Sequence, residues 1–99
     1  MLFHVTIEVH DAIVLDADKR LREVLGPQMQ HLMESGKVQA SGIFGGRRGG
    51  FFLVDVDQVE ELYELFGPEV YGNFAMEVQP VMPVEKLGEL FQKWATEGR

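Results

Sequence analysis

His4, Thr6 and Glu8 occupy alternate positions near the start of the chain, and Glu77 lies in a second alternating segment toward its end. Side chains two apart along a strand share one face. A histidine beside a carboxylate in apolar surroundings is a workable proton-transfer unit, so His4, Glu8 and Glu77 are candidate catalytic residues. A second group lies mid-chain in GIFGGRRGGFFLVDVD, Gly42 to Asp57, where Arg47 and Arg48 sit between paired glycines. Arginine's planar fork of donors suits a substrate carboxylate. Arg47 and Arg48, with Phe51 as an apolar surface and Tyr71 as a hydroxyl donor, are the candidate substrate-binding residues. Bland readings stand beside these. His4 is equally a core histidine satisfied by one hydrogen bond, Glu8 an exposed strand-end residue, and the arginines solvated turn residues.

Several chemistries find no support. The glycines precede a strand-like run and no Gly-Lys-Ser/Thr follows, which argues against a phosphate loop. One Arg-Arg pair in a chain of net charge -7 does not make an RNA-binding tag or a sequence-independent grip on nucleic acid. The same charge argues against anionic membrane surfaces, and no apolar run is long enough to span a bilayer. His4, His10 and His31 are scattered without metal-ligand spacing, and there is no Cys for thiolate chemistry or a disulfide frame. The expectation is a cytoplasmic protein, since Cys is absent and the amino-terminal residues alternate rather than form a leader.

The elements that position these residues follow from periodicity. Phe3, Val5, Ile7 and Val9 form one face of a first strand, with Leu2, His4, Thr6, Glu8 and His10 opposite. Residues 11 to 17 connect to a helix capped by Asp16 or Asp18, with Leu21, Val24, Leu25, Gln28, Met29, Leu32 and Met33 at three-to-four spacing. Gly26-Pro27 predicts a kink or restart, and Gly36 a C-terminal stop. Val38 to Phe44 and Gly50 to Val56 read as a hairpin whose glycines supply positive φ. Asp57 with Glu60 resembles a capping box, opening a second helix that carries Val59, Leu62, Tyr63 and Phe66 and ends at Gly67-Pro68. Asn73 to Val81 is a fourth strand, with Phe74, Met76 and Val78 apolar and Ala75, Glu77 and Gln79 opposite. Pro83 opens a terminal helix bearing Leu87, Leu90, Phe91 and Trp94.

The fold class is therefore α+β: a ferredoxin-like βαββαβ domain over residues 1–99, with a C-terminal helix. Right-handed crossovers place both helices on one face of the antiparallel sheet. Phe51-Phe52-Leu53-Val54 is nevertheless apolar on both faces, where a sheet wet on one side should alternate. Burying a large apolar side chain is worth about 1.5–3 kcal/mol, so a cover is expected over Phe51 and Leu53. A second copy of the chain is the economical cover, with the terminal helix clasping it.

MLFHV at Met1–Val5, ESGKV at Glu34–Val38, DVDQVEEL at Asp55–Leu62 and MEVQPV at Met76–Val81 resemble the muconolactone isomerase family of the dimeric α/β-barrel superfamily. The resemblance implies two protomers pairing as a dimeric α/β barrel, a homodimer or larger ring, around a pocket for a small organic acid. It implies a cofactor-free double-bond shift in an unsaturated lactone, within aromatic catabolism, and sets His4, Arg47, Asp55 and Glu77 on positions like the family's pattern. The chain differs at Tyr63, where members usually carry His, and at Gly72 to Ala75, where their acidic residue is missing. The alternatives are a non-catalytic binding or scaffold module on the same barrel and a cofactor-free oxygenase of the superfamily.

Overall fold

The structure, a computed structural model, describes residues 1–9 and 19–98. The first connection with Asp16 and Asp18, and His10, lie outside the described residues. The element order is β1 (Leu2–Val9), α1 (Lys19–Glu34), β2 (Val38–Ile43), β3 (Gly49–Asp55), α2 (Val59–Asn73), β4 (Phe74–Val81) and α3 (Val84–Thr96). The four strands form one antiparallel sheet in the order β2-β3-β1-β4, the ferredoxin-like arrangement expected from the sequence.

Alternation on β1 decides which face meets the helices. Phe3 and Val5 are buried, and they join Val54 and Val56 from the β3 side, Leu32 of α1, Leu62, Phe66 and Val70 of α2, and Phe74 of β4 in the core. Phe52 reaches the same layer and meets Phe66 edge to face, with ring centroids 5.3 Å apart. No polar or charged side chain is buried among the described residues. The side chains of this layer are therefore held chiefly by hydrophobic transfer.

The helices depart from expectation at two prolines. α1 runs unbroken through Pro27, with no restart. The residue ahead of proline normally resists helical geometry because its Cβ crowds the proline ring, and Gly26 has no Cβ. α2 does break at Gly67, whose φ of 84° and ψ of 166° are not helical, but helix resumes from Pro68 to Asn73 instead of ending. The break is filled from the other helix: Gln28 Nε2 donates to the Leu65 carbonyl at 2.5 Å. A Cβ on Gly67 would lie 2.8 Å from Gln28 Cδ, so glycine is needed here for both space and backbone angle. The expected capping box also fails. Gln58 is the N-cap, without a side-chain cap bond, and Glu60 and Glu61 instead place negative charge in the first turn, where it suits the helix dipole. Gly36, with φ of 76°, does terminate α1, while Ser35 Oγ donates to the Leu32 carbonyl at 2.6 Å.

The hairpin glycines work differently from the expectation. None of Gly42, Gly45, Gly46, Gly49 and Gly50 has positive φ. The turn spans Phe44 to Arg48 and closes by Phe44 N–H donating to the Gly49 carbonyl at 3.0 Å, a loop long enough to reverse without left-handed residues. Three of the glycines provide close approach instead. A Cβ on Gly42 would meet Phe51 Cε1 at 2.5 Å, one on Gly50 the Gly42 carbonyl oxygen at 2.6 Å, and one on Gly49 the Ile7 carbonyl oxygen.

Gly49→Ala forces backbone against backbone and is expected to cost about 1–3 kcal/mol in urea unfolding. Gly46→Ala projects into open space and should stay within about 0.5 kcal/mol of the parent.

Candidate functional site

The sheet face away from α1 and α2 collects the chemistry. Across β1 and β3, His4 pairs with Leu53, Thr6 with Phe51 and Glu8 with Gly49. Across β1 and β4, His4 pairs with Gln79, Thr6 with Glu77 and Glu8 with Ala75. Directly paired residues point to the same side, so His4, Thr6, Glu8, Phe51, Leu53, Glu77 and Gln79 share this face. Glu77 stands opposite Thr6, on the diagonal from both His4 and Glu8, roughly 7–8 Å away by sheet geometry.

The hairpin brings in the cation. Arg47 extends over the face and its Nη1 lies 2.6 Å from Glu8 Oε1. Its guanidinium carbon sits 4.2 Å from the centroid of the Phe44 ring, a cation–π contact. Phe44 in turn neighbours Phe51, centroids 6.3 Å apart, and Phe51 stacks on His4 at 5.8 Å and 20°. A row of rings therefore runs across the sheet from Arg47 to His4. Beside it, Thr6, Glu8, Arg47, Ala75 and Glu77 line a cavity of about 130 Å³. The cavity has a threonine hydroxyl, two carboxylates and one guanidinium, enough to orient a small polar ligand by hydrogen bonds.

The other candidates fall elsewhere. Arg48 accepts a hydrogen bond from Val9 N–H through its carbonyl, at 3.0 Å, and its side chain is exposed. Tyr71 does not join the open face. Because helix resumes after Gly67, Tyr71 lies on the helical layer, edge to face with Tyr63 at 5.6 Å, where both rings line a shallow groove with Gly67 and Pro68. Asp55, in the family-like DVD segment, holds the amino-terminal ammonium at 3.2 Å. His31 is exposed in the last turn of α1. Among the described residues no cluster of His, Cys, Asp and Glu has the makings of a metal site. Phe44 was not singled out from sequence, although its parity with Gly42 in the second strand run already put it on the open face.

α3 leaves β4 and buries none of its residues. Val84 is 74% exposed and Phe91 56%, and a groove lined by Leu2, Val81, Met82, Lys86, Leu90 and others lies where α3 meets the end of the sheet. The molecule measures 60 × 27 × 19 Å, long for a chain of this size. No described helix is long and apolar enough to cross a membrane.

A family model described as a domain of unknown function, DUF3303, matches residues 1–95. The chain belongs to this family. No curated protein matches the DUF3303 chain significantly in sequence. Among solved structures, the crystal structure of muconolactone isomerase aligns with a TM-score of 0.63, at 22% identity, over 84% of this chain and 90% of that one. The DUF3303 chain thus has a muconolactone isomerase-like fold, as the sequence resemblance implied.

The Arg47–Glu8 pair is partly exposed, with side chains at 58% and 38%. A double-mutant cycle on Arg47→Met and Glu8→Gln should give a coupling of at most about 1 kcal/mol, shrinking as salt is raised.

Proposed function

We propose that the chain is a cofactor-free isomerase of a small unsaturated organic acid, of the lactone class, acting in a chamber formed when a second copy covers the open sheet face. The observation behind this reading is that Arg47, Glu8 and Glu77 line one small cavity on the sheet face away from α1 and α2, with His4 on the same face, on the diagonal from Glu77. Phe51 and Leu53, only half-buried there, supply apolar area for a partner sheet, and the exposed Val84 and Phe91 of α3 supply more. The sharing of a fold with muconolactone isomerase adds to the reading without assigning residues.

The chemistry needs one proton moved and no electron acceptor. Arg47 holds the substrate carboxylate by paired N–H donors. His4, as a neutral imidazole, takes a proton from the carbon at the γ position of the conjugated lactone. The released C–H pair becomes the new double bond, and the old π pair moves toward the carbonyl as a dienolate. The imidazolium then returns the proton to the α carbon, so substrate and product have the same composition. Glu77 and Glu8 flank the histidine's face of the sheet and assist by stabilising the imidazolium. Enclosure by the partner strengthens these interactions by excluding water.

Two measurements test this. Light scattering at micromolar concentration should give a dimer or a multiple of it for the parent and a monomer for Leu53→Glu. A parent that runs as a monomer removes the chamber. Against a panel of unsaturated lactones, the parent should show turnover without added metal, and His4→Ala should lose roughly 10²–10⁴-fold in kcat. Equal turnover in both eliminates the mechanism, and ligand binding without turnover in the parent identifies a non-catalytic binding module.

A further inference from the structure

Glu8 and Phe44 have a combined effect on Arg47 that neither the fold nor the proposed reaction requires. Phe44 lies beneath the guanidinium and Glu8 takes its donors from one side, so the fork is held over the open face in the free chain. A carboxylate resting on a guanidinium is chemically the same contact that a ligand carboxylate would make. We infer that Glu8 is an internal stand-in for a ligand carboxylate and Phe44 the positioning residue that keeps Arg47 aimed after Glu8 is displaced. The inference rests on the reading of Arg47 as the anion fork, and it narrows that reading to ligands able to win an exchange against a tethered carboxylate.

Three features support exchange over a permanent ion pair. Both partners are partly exposed, so Glu8 has water to move into when released. The cavity they share admits only a small group, with Thr6 and Ala75 on its walls. Glu77 also faces this cavity. A ligand carboxylate entering the cavity meets two like charges, and release of Glu8 from the guanidinium into water relieves one of them. The cation–π contact is what survives the exchange. It does not depend on which carboxylate the donors engage, because the ring attracts the guanidinium's charge and takes none of its hydrogen bonds.

The test uses crotonate, a small unsaturated carboxylate, and its neutral twin crotonamide, with affinity read by chemical-shift titration of the full chain. Glu8→Gln should bind crotonate roughly 2- to 5-fold more tightly than the parent, the range expected for removing an exposed charged competitor. Crotonamide affinity should not change. Glu77→Gln is the control for loss of negative charge alone and should tighten crotonate binding less than Glu8→Gln does. Phe44→Leu should weaken crotonate binding, and Phe44→Tyr should restore it. Unchanged or weaker binding in Glu8→Gln overturns the inference, as do equal gains in Glu8→Gln and Glu77→Gln, failure of Phe44→Tyr to restore, or no crotonate binding in either parent or Glu8→Gln. Exchange behaving as inferred with no lactone turnover defeats the isomerase reading and leaves this one standing. Lactone turnover whose KM ignores Glu8→Gln does the reverse.

Discussion

A four-stranded sheet has two faces, and among the described residues α1 and α2 both pack on the same one. Everything else in the molecule follows from that imbalance. β1 runs through the centre of the sheet, hydrogen-bonded to β3 and β4, so each of its residues is committed to one side or the other. Odd positions fill the core with Phe3 and Val5, and even positions put His4, Thr6 and Glu8 on the uncovered side. A slip of one residue would send the histidine and glutamate into the hydrocarbon layer and expose the phenylalanine. The same alternation that stabilises the fold therefore also fixes the polar row, and the two cannot drift apart independently.

The hairpin adds a second constraint. Gly42 leaves room beneath the Phe51 ring, and Gly49 lets β3 close against Ile7 of β1. With larger residues at these positions the ring would be pushed off the sheet and the strand pair would open. The phenyl row depends on Phe51 lying flat, because it is stacked on His4 on one side and neighbours Phe44 on the other. The glycines thus act on the site through packing, and the turn itself needs nothing from them.

Much of the fold was legible because strand alternation is a strong local signal. β1 and β4 could be assigned by parity, and with them the face of every candidate carboxylate. Other features depended on contacts that periodicity does not encode. Gln28, sitting among apolar neighbours at helical spacing, was the visible sign that α1 serves a broken backbone, but its acceptor, the Leu65 carbonyl, is 37 residues away. Gly26 relieved one of the clashes of the proline that follows it, so a dipeptide that reads as a breaker lies inside a continuous helix. The position of Tyr71 on the helical layer was hidden for a related reason: Gly67-Pro68 reads as a helix end, and the chain re-enters helix after it. The arginine pair was recognisable as a cation on a hairpin turn. Choosing Arg47 over Arg48 required the hairpin's shape, and Phe44's part in it required seeing the guanidinium above the ring.

The aromatic row has a consequence for size. His4 is on β1, Phe51 on β3 and Phe44 just past the end of β2, so the rings cross the sheet one strand at a time. Neighbouring strands are about 4.8 Å apart whatever their sequence. The spacing of the rings is thus set by backbone hydrogen bonding, whereas the guanidinium is placed by the turn and by its contact with Glu8 back on β1. A substitution along the row therefore changes ring size at a fixed strand spacing and opens or closes space on this face without moving the strands.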